Sequence, residues 1–346
     1  MNIVSIIIPL YNSSLYIADA LQSVFRQHYA SWECICVDDG STDNSVEVVR
    51  RIASGDTRFK IVEQQNAGPG IARNTGLGLA SGDYVTFLDS DDMFHPEALA
   101  RLVNLAQTYE SDFVTCSLRQ LPESGIGSDL CQVDCPKIAI YRAPLLPILR
   151  DKKRLSVHTC GKLYLRSLHG HLRFPSGFGS EDTHFLFDAI VNAKTLVTTN
   201  ESLYLYRERE HALTRCQKRH SNYIAGSEKV ALHCEELCRA NEVSASLAAK
   251  LQMIYGTNRI FVELADMAGN SHISDAHRRE LIDMACGAVG RIIRSVGGRH
   301  RVVAFQHLLT YWVAIRLRSL WLLKRVAGLR RVSIQMIRAV LELRKA

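Results

Sequence analysis

The chain of 346 residues is 47% apolar and 22% charged, which is the composition of an ordered globular protein long enough for two domains. Residues 299–346 hold eleven Lys and Arg against one acid, a net charge of +10; because the whole chain carries +7, residues 1–298 carry −3. A weakly acidic body excludes the broad basic surface that nucleic-acid binding needs, so we expect no nucleic-acid partner.

The cysteines and the N-terminal residues predict the compartment. The ten cysteines include no Cys-x-x-Cys pair, and a chain of this length folds without disulfides, so we expect reduced cytosolic thiols. The apolar run over residues 3–10 has no charged n-region and is too short for a signal peptide. No uninterrupted apolar run reaches the 18 or so residues of a transmembrane helix. These features predict a cytoplasmic protein.

Residues 1–118 alternate between strand and helix patterns. Continuous apolar runs predict five buried strands, in the segments IVSIIIP, CICV, FKIV, YVTFL and DFVTCSL. Apolar residues at helical spacing predict helices near residues 21–25, 46–52, 71–80 and 96–109. This alternation indicates an α/β fold, with a Rossmann-like, mostly parallel sheet flanked by helices.

The rest of the chain is patterned less regularly. Residues 119–150 predict a connection with a short helix near 145–150, and the strand-like pieces TLVTT and SLYLYR flank a helix predicted over 181–192. Beyond residue 221 the pattern is helical. We therefore predict a domain over residues 1–217, with halves 1–118 and 119–217, and a helical C-terminal region over residues 218–346.

Polar clusters follow each of the first four predicted strands. In a doubly wound sheet, ligands bind at the carboxyl ends of the strands, where these clusters fall. The clusters contain Pro9, Tyr11, Asn12, Asp38, Asp39, Arg73, Asp89, Ser90 and Asp91. Carboxylates as crowded as those of the segment LDSDD repel one another unless a cation compensates, and Mg²⁺ or Mn²⁺ prefers oxygen ligands of this kind. Turn chemistry alone is the alternative for each cluster taken singly.

Two other nucleotide sites are disfavoured by spacing. The segment GPGIARNTG contains a Gly-x-Gly, but its third glycine is out of register for a Rossmann fingerprint and it follows the third strand. No Walker A sequence is present. The remaining interpretation is a site that holds a nucleotide and a divalent ion through carboxylates.

The segments SIIIPLYN, VDDGSTDNS, NAGPGIARNTGL and GDYVTFLDSDD together resemble the family 2 glycosyltransferases, inverting enzymes of the GT-A fold, here of the bacterial surface-polysaccharide type. The resemblance covers residues 3 to about 215. It implies that Pro9, Tyr11, Asn12, Asp38, Asp39 and Arg73 bind the nucleotide. It also implies that Asp89 and Ser90 lie near the ribose and metal, and that Asp91 ligates Mn²⁺ or Mg²⁺ directly.

An inverting displacement needs a base for the acceptor hydroxyl. Glu181 and Asp182 open the helix predicted after GFGS, where acids also serve simply to stabilise a helix N-terminus. The family carries a Glu–Asp pair at this position, which implies that Asp182 is the base and Glu181 its neighbour in acceptor binding. By the same resemblance Lys162 falls on the acceptor side, and His211 approaches the metal or diphosphate, although a surface-loop histidine is the common alternative.

The basic tail, residues 299–346, mixes Arg, Lys, Trp and Leu at helical length. Four basic residues fall within about 80° on a helical wheel: Arg316, Lys324, Arg331 and Arg338. Such a helix suits docking on an anionic membrane surface, with Trp312 and Trp321 at the interface. Packing on the catalytic body or on a second copy, as a homodimer through the C-terminal helices, is the alternative.

These features together predict an enzyme. We expect a metal-dependent glycosyltransferase that moves a hexosyl or N-acetylhexosaminyl group from a nucleotide-diphosphate donor, with a UDP-sugar favoured, to a glycan or lipid-linked acceptor. The tail would hold it peripherally at the inner face of the plasma membrane. A non-catalytic nucleotide- or glycan-binding scaffold is one alternative. A nucleotidyltransferase is the other, but PLYNSSLY lacks the Gly-rich basic loop expected for a triphosphate.

Overall fold

The computed structural model describes residues 2–122, 136–150, 155–170, 172–176, 179–208, 219–257, 260, 263 and 275–295. The strands are β1 Val4–Leu10, β2 Trp32–Asp38, β3 Phe59–Glu63, β4 Tyr84–Phe87, β5 Met93–Phe94, β6 Phe113–Leu121, β7 Ile138–Arg142, β8 Lys162–Leu165 and β9 Thr195–Arg207. The helices are α1 Ile17–Phe25, α2 Ser45–Ile52, α3 Pro69–Leu79, α4 Ala98–Thr108, α5 Arg166–His169, α6 Glu181–Asn192, α7 Arg219–Ala240, α8 Ala245–Gln252 and α9 Asp275–Ser295. Leu146–Arg150 is a 3₁₀ helix and Met253–Thr257 a π-helix.

The strands form a nine-stranded mixed sheet in the order β3-β2-β1-β4-β8-β6-β9-β5, with β7 paired to β9. The strands β1 to β4, which are the first four that the sequence predicts, run parallel to one another, and β6 is parallel to β9. All seven residues of β1 and all seven of β2 are buried, because helices cover both faces of a parallel sheet. The predicted α/β class, a Rossmann-like and mostly parallel sheet flanked by helices, is confirmed.

Three strands were not predicted, and their sequences explain why. β5 has two residues and β8 four, too few to show a period. β7 alternates exposed and half-buried residues at the edge of the sheet, so it lacks an apolar run. β8 is antiparallel to both β4 and β6. The segments TLVTT and SLYLYR, predicted as separate pieces, are one continuous strand, β9.

The packing of α3 on β1 gives a matched pair of glycine substitutions. A Cβ at Gly76 would lie 2.4 Å from Cγ2 of Ile7, whereas a Cβ at Gly78 meets nothing within 4 Å. We expect Gly76→Ala to destabilise the domain by about 1–3 kcal/mol through overpacking. Gly78→Ala, in the same helix, should be neutral or stabilising by up to about 1 kcal/mol. Urea unfolding of both variants tests this; equal effects would contradict the close approach.

The chain divides into two compact units, residues 1–177 with 181–212 and residues 178–180 with 213–346. In the second unit, α7 packs against α8 and α9, and Arg291 pairs with Glu228. No helix among the described residues is both long and apolar enough to cross a membrane. The predicted boundary at residue 217, His211 and the basic tail lie outside the described residues, so these remain predictions.

Candidate active site

The carboxyl ends of the first four strands meet at one edge of the sheet. Leu10, the last residue of β1, is in register with Asp38, the last residue of β2, and β4 ends beside β1 at Phe87. The polar clusters predicted at these positions are therefore brought together. Pro9 is buried as part of β1, whereas Tyr11, just beyond the strand, is 43% exposed, so its ring is accessible to a ligand.

Backbone and side-chain hydrogen bonds tie the first two loops to each other. Asn12, in the left-handed region at φ 47°, accepts hydrogen bonds from the backbone N–H of Thr42 at 2.8 Å and from its hydroxyl at 3.3 Å. The Asp38 carboxylate accepts the backbone N–H of Ser41 at 3.1 Å. The hydroxyls of Ser13 and Ser90 lie 2.7 Å apart, which joins the first loop to the loop after β4.

Asp39 fastens the third loop to the end of β2. Its buried carboxylate accepts the side-chain N–H of Gln64 at 2.8 Å and the backbone N–H groups of Ala67 at 2.9 Å and Gly68 at 2.8 Å. A carboxylate has about four acceptor positions, so capacity for a further donor remains. Asp39 thus has a structural role in addition to the nucleotide contact that the resemblance implies.

The loop after β4, residues 89–92, is held by the end of β9. The Tyr204 hydroxyl donates to Asp92 at 2.6 Å and accepts the backbone N–H of Asp89 at 3.2 Å. The backbone N–H of Arg207 donates to Asp92 at 2.8 Å, and its Nε donates to the carbonyl of Asp91 at 3.0 Å. Burial and the neighbouring Asp89 and Asp91 raise the pKa of Asp92 well above its usual range.

Arg73 connects Asp89, predicted on the donor side, to Asp182, the predicted base. One guanidinium nitrogen donates to Asp89 at 2.8 Å, and the other terminal nitrogen donates to Asp182 at 3.2 Å. The side chain is nearly fully buried; burial opposes its charge, but Asp182 and Asp89 raise its pKa above the ordinary value. Its Nε has no hydrogen-bond partner among the described residues.

The predicted base and its neighbour stand at the start of α6. Asp182 accepts hydrogen bonds from Arg73 and Thr159, whereas Glu181 packs beside Gly70, at the beginning of α3. Burial, and then the charge of Asp182, raise the pKa of Glu181 to about 7. The two carboxyl groups of one Glu–Asp pair therefore lie in different environments, and this difference lets them take different roles.

The raised pKa of Glu181 has a consequence for stability. The folded state binds a proton that the unfolded chain releases, so stability is lost as pH rises from about 4.5 to about 7. We expect Glu181→Gln, a neutral isostere, to raise the stability of the domain by about 1–3 kcal/mol at pH 8, with no gain below pH 4.5 or so. Melting temperatures across pH measure this. Glu47→Gln, at an exposed position of α2, is the control; a gain at Glu181 that does not change with pH would contradict the burial argument.

The carboxylates of the 89–92 loop fit a hard divalent cation. Ligand atoms of Asp89, Asp92 and Cys160 lie within 4.8 Å of one another. A neutral thiol is a poor ligand for Mg²⁺ or Mn²⁺, and both Asp92 oxygens already accept protein hydrogen bonds in a buried position. Asp89 is the member of this group that was predicted as a site residue; Asp91, half-buried in the same loop, is outside the group, and its role as a metal ligand remains a prediction.

Several residues that contact this site were not predicted as site residues, among them Ser13, Thr159, Tyr204 and Arg207. Each contacts a predicted residue through its side chain or backbone. Tyr204 and Arg207 lie in SLYLYR, which the sequence predicted only as a strand-like piece. Thr159 and Ser13 lie in segments without any pattern that distinguishes them from ordinary polar residues.

A parallel half-sheet with polar loops at its carboxyl edge, continued by an antiparallel strand and a carboxylate-bearing helix, is the architecture of the GT-A fold. Residues 5–172 match the sequence model of Glycosyl transferase family 2. The chain therefore carries a family 2 glycosyltransferase domain in these residues.

Relatives of this chain are bacterial glycosyltransferases. Glycosyltransferase GlyA of Streptococcus pneumoniae is 31% identical over 239 residues, which is 66% of this chain and 34% of GlyA. Poly(ribitol-phosphate) beta-N-acetylglucosaminyltransferase TarS of Staphylococcus aureus is 27% identical over 216 residues, 60% of this chain and 36% of TarS. The matched region thus spans about a third of each of these relatives.

Solved structures show the same fold. S. aureus TarS 1–349 in complex with UDP-GlcNAc superposes with a TM-score of 0.66 at 22% identity, over 86% of this chain and 82% of that chain. The mannosyltransferase PcManGT of Pyrobaculum calidifontis, in complex with GDP-Man and Mn²⁺, superposes with a TM-score of 0.50 at 19% identity, over 96% of this chain and 86% of that chain.

Proposed function

We propose that this glycosyltransferase is an inverting, metal-dependent enzyme that transfers a sugar from a UDP-sugar to a hydroxyl of a glycan or lipid-linked acceptor in bacterial surface-polysaccharide synthesis. The observation that carries the proposal is the Arg73 guanidinium between Asp89 and Asp182. It joins a donor-side carboxylate to a second carboxylate on a different element. A donor site and a base are the two parts that a displacement at an anomeric carbon requires.

The donor side is built from the loops after β1, β2 and β4. Tyr11 is exposed for contact with the nucleoside, and Asn12, Asp38 and Asp39 hold the surrounding loops. Asp89 and Asp91 would hold Mn²⁺ or Mg²⁺, which when bound neutralises the diphosphate and the negative charge that develops on it as the sugar leaves. The unpartnered Nε of Arg73 offers a further positive donor to the same anion.

The transfer step needs one bond formed and one broken. The acceptor oxygen attacks the anomeric carbon and forms the new glycosidic bond as the bond from that carbon to the diphosphate oxygen breaks. The electron pair leaves with the nucleoside diphosphate, and the acceptor proton passes to Asp182. Attack opposite the leaving group inverts the configuration. Glu181, whose pKa burial raises to about 7, can donate a hydrogen bond to the acceptor when it is protonated.

The UDP assignment is supported by the relatives, among which TarS was solved with UDP-GlcNAc. A thermal-shift panel of UDP, GDP, dTDP and CMP, each with and without Mn²⁺, tests the donor class without an acceptor, because a ligand that binds the folded state raises the melting temperature. We expect a Mn²⁺-dependent shift with UDP. A shift with none of the four would favour a non-catalytic scaffold, and release of pyrophosphate in place of UDP would indicate a nucleotidyltransferase.

We also propose that the enzyme works at the cytoplasmic face of the plasma membrane. The support is the +10 charge of residues 299–346, which favours an anionic lipid surface. A lipid-linked acceptor would be presented at that surface. Co-sedimentation of the full chain with phosphatidylglycerol vesicles tests the attachment, and a concentration-dependent dimer without vesicle binding would favour packing between copies.

A further inference from the structure

A buried threonine contacts the proposed base at two points. Thr159 is fully buried just before β8. Its hydroxyl donates to Oδ1 of Asp182 at 3.1 Å, and its backbone N–H lies 3.4 Å from Oδ2 of the same carboxylate. Both groups of one residue thus face one carboxylate, although 22 residues of sequence separate Thr159 from Asp182. No part of the sequence pattern marks this contact.

The segment around Thr159 is held rigidly. The fully buried Lys162 ammonium donates to the carbonyl of His158, and burial lowers the pKa of Lys162 to about 8. Gly161 has a φ of 67°, and a Cβ there would lie 2.8 Å from Leu118, so only glycine fits this turn. Cys160, which directly follows Thr159, directs its thiol toward Oδ2 of Asp89 at 3.7 Å. Adjacent residues therefore face the donor-side and the acceptor-side carboxylates.

The hydrogen bonds at Asp182 are distributed unevenly between its two oxygens. Oδ1 accepts both the Arg73 N–H at 3.2 Å and the Thr159 hydroxyl at 3.1 Å, whereas among the described residues Oδ2 has the single long contact with the Thr159 backbone. An oxygen that already accepts two good hydrogen bonds is the weaker proton acceptor. The lone pairs of Oδ2 are the more available for an incoming proton.

We propose that Thr159 is a positioning residue for the transfer reaction: with Arg73 it occupies Oδ1 of Asp182 and so presents Oδ2 to the acceptor hydroxyl. The inference rests on the proposed function, in which Asp182 is the base. Thr159 itself contacts no reacting atom. Its effect is to restrict the rotation of one carboxylate, and holding a catalytic group in its productive geometry contributes to the rate and not to donor affinity.

The test compares Thr159→Val, which keeps the shape but removes the hydroxyl, with Thr159→Ser, which retains it. The full-length protein is assayed for UDP release from a UDP-sugar with Mn²⁺ and water as the attacking nucleophile, a reaction in which Asp182 takes the proton from water. We expect Thr159→Val to lower kcat by about 10- to 100-fold with the donor KM unchanged within about twofold. Thr159→Ser should stay within about threefold of the wild-type kcat. The acid limb of the pH–rate profile should move to higher pH in the valine variant only.

Two results would overturn the proposal and are distinguishable from a failure of the proposed function. Wild-type kcat in Thr159→Val, with Asp182→Asn inactive, would show that Asp182 is the base but does not depend on Thr159. Loss of the UDP–Mn²⁺ thermal shift together with a lower melting temperature in both Thr159 variants would show a purely structural role. Full UDP release by Asp182→Asn would instead remove the base assignment, and with it this inference.

Discussion

Asp182→Asn is expected to lower sugar transfer by about 10³-fold or more, because the variant has no carboxylate to take the acceptor proton. The asparagine keeps the size of the side chain and one oxygen, which can still accept the hydrogen bonds that Arg73 and Thr159 donate to Oδ1. Asp182 is linked to the donor loops through Arg73, whose hydrogen bond to Asp89 the variant leaves in place. Nucleotide binding should therefore be retained, and the loss should fall on kcat.

The measurement is UDP release from a UDP-sugar, alongside the Mn²⁺-dependent thermal shift with UDP. Asp188→Asn is the matched control, since it makes the same change in α6 at a residue that pairs with His184 and has no predicted role in transfer. Activity in Asp182→Asn comparable to that of the control would show that another group takes the proton. Glu181 would then be the first candidate, because its pKa is raised to about 7.

Asp91→Ala is expected to abolish the Mn²⁺-dependent part of nucleotide binding. Asp91 is half-buried at the edge of the sheet, whereas Asp89 is shared with Arg73 and Asp92 is held by Tyr204 and the backbone of Arg207. With nucleotide and Mn²⁺ at about 100 times Kd, binding contributes about 2.7 kcal/mol to the stability of the wild-type protein. This contribution should disappear in the variant.

The thermal shift with UDP, measured with and without Mn²⁺, reports this loss directly. Asp56→Ala is the matched control. Asp56 pairs with Arg58 just before β3 begins, and so lies at the amino ends of the parallel strands, whereas the site lies at their carboxyl ends. The control should keep the full Mn²⁺-dependent shift even if its own melting temperature falls. An equal loss of binding in Asp91→Ala and Asp182→Asn would contradict the assignment of one carboxylate to the donor and the other to the acceptor.

The positions of Asp89, Asp91 and Asp92 also explain how three carboxylates coexist within four residues. Asp89 is neutralised in part by Arg73. Burial and the neighbouring carboxylates raise the pKa of Asp92 well above its usual range, and Tyr204 and Arg207 hold this side chain in place. The three carboxylates that are crowded in the sequence therefore lie in different environments.

Residues 3–118 determined most of the fold by themselves. The runs in β1 and β2 are continuous because both faces of these strands are buried, and the polar clusters follow at the carboxyl ends because parallel strands all end at one edge. Asn12, Asp38, Asp39, Arg73 and Asp89 could therefore be predicted together from local sequence. The same reasoning missed β5, β7 and β8, which are too short or too exposed to carry a period.

Only the tertiary structure decided which carboxylate faces which donor. Arg73 contacts Asp89 across 16 residues of sequence and Asp182 across 109, and Tyr204 reaches Asp92 across 112. Such contacts depend on the order of strands in the sheet, since the antiparallel β8 follows Thr159 at the edge where the parallel strands end, and β9, parallel to β6, brings Tyr204 to the same edge. Sequence pattern reports which residues are buried along one element; it does not report the neighbours that a different element supplies, and those neighbours set the orientation and the protonation of the site.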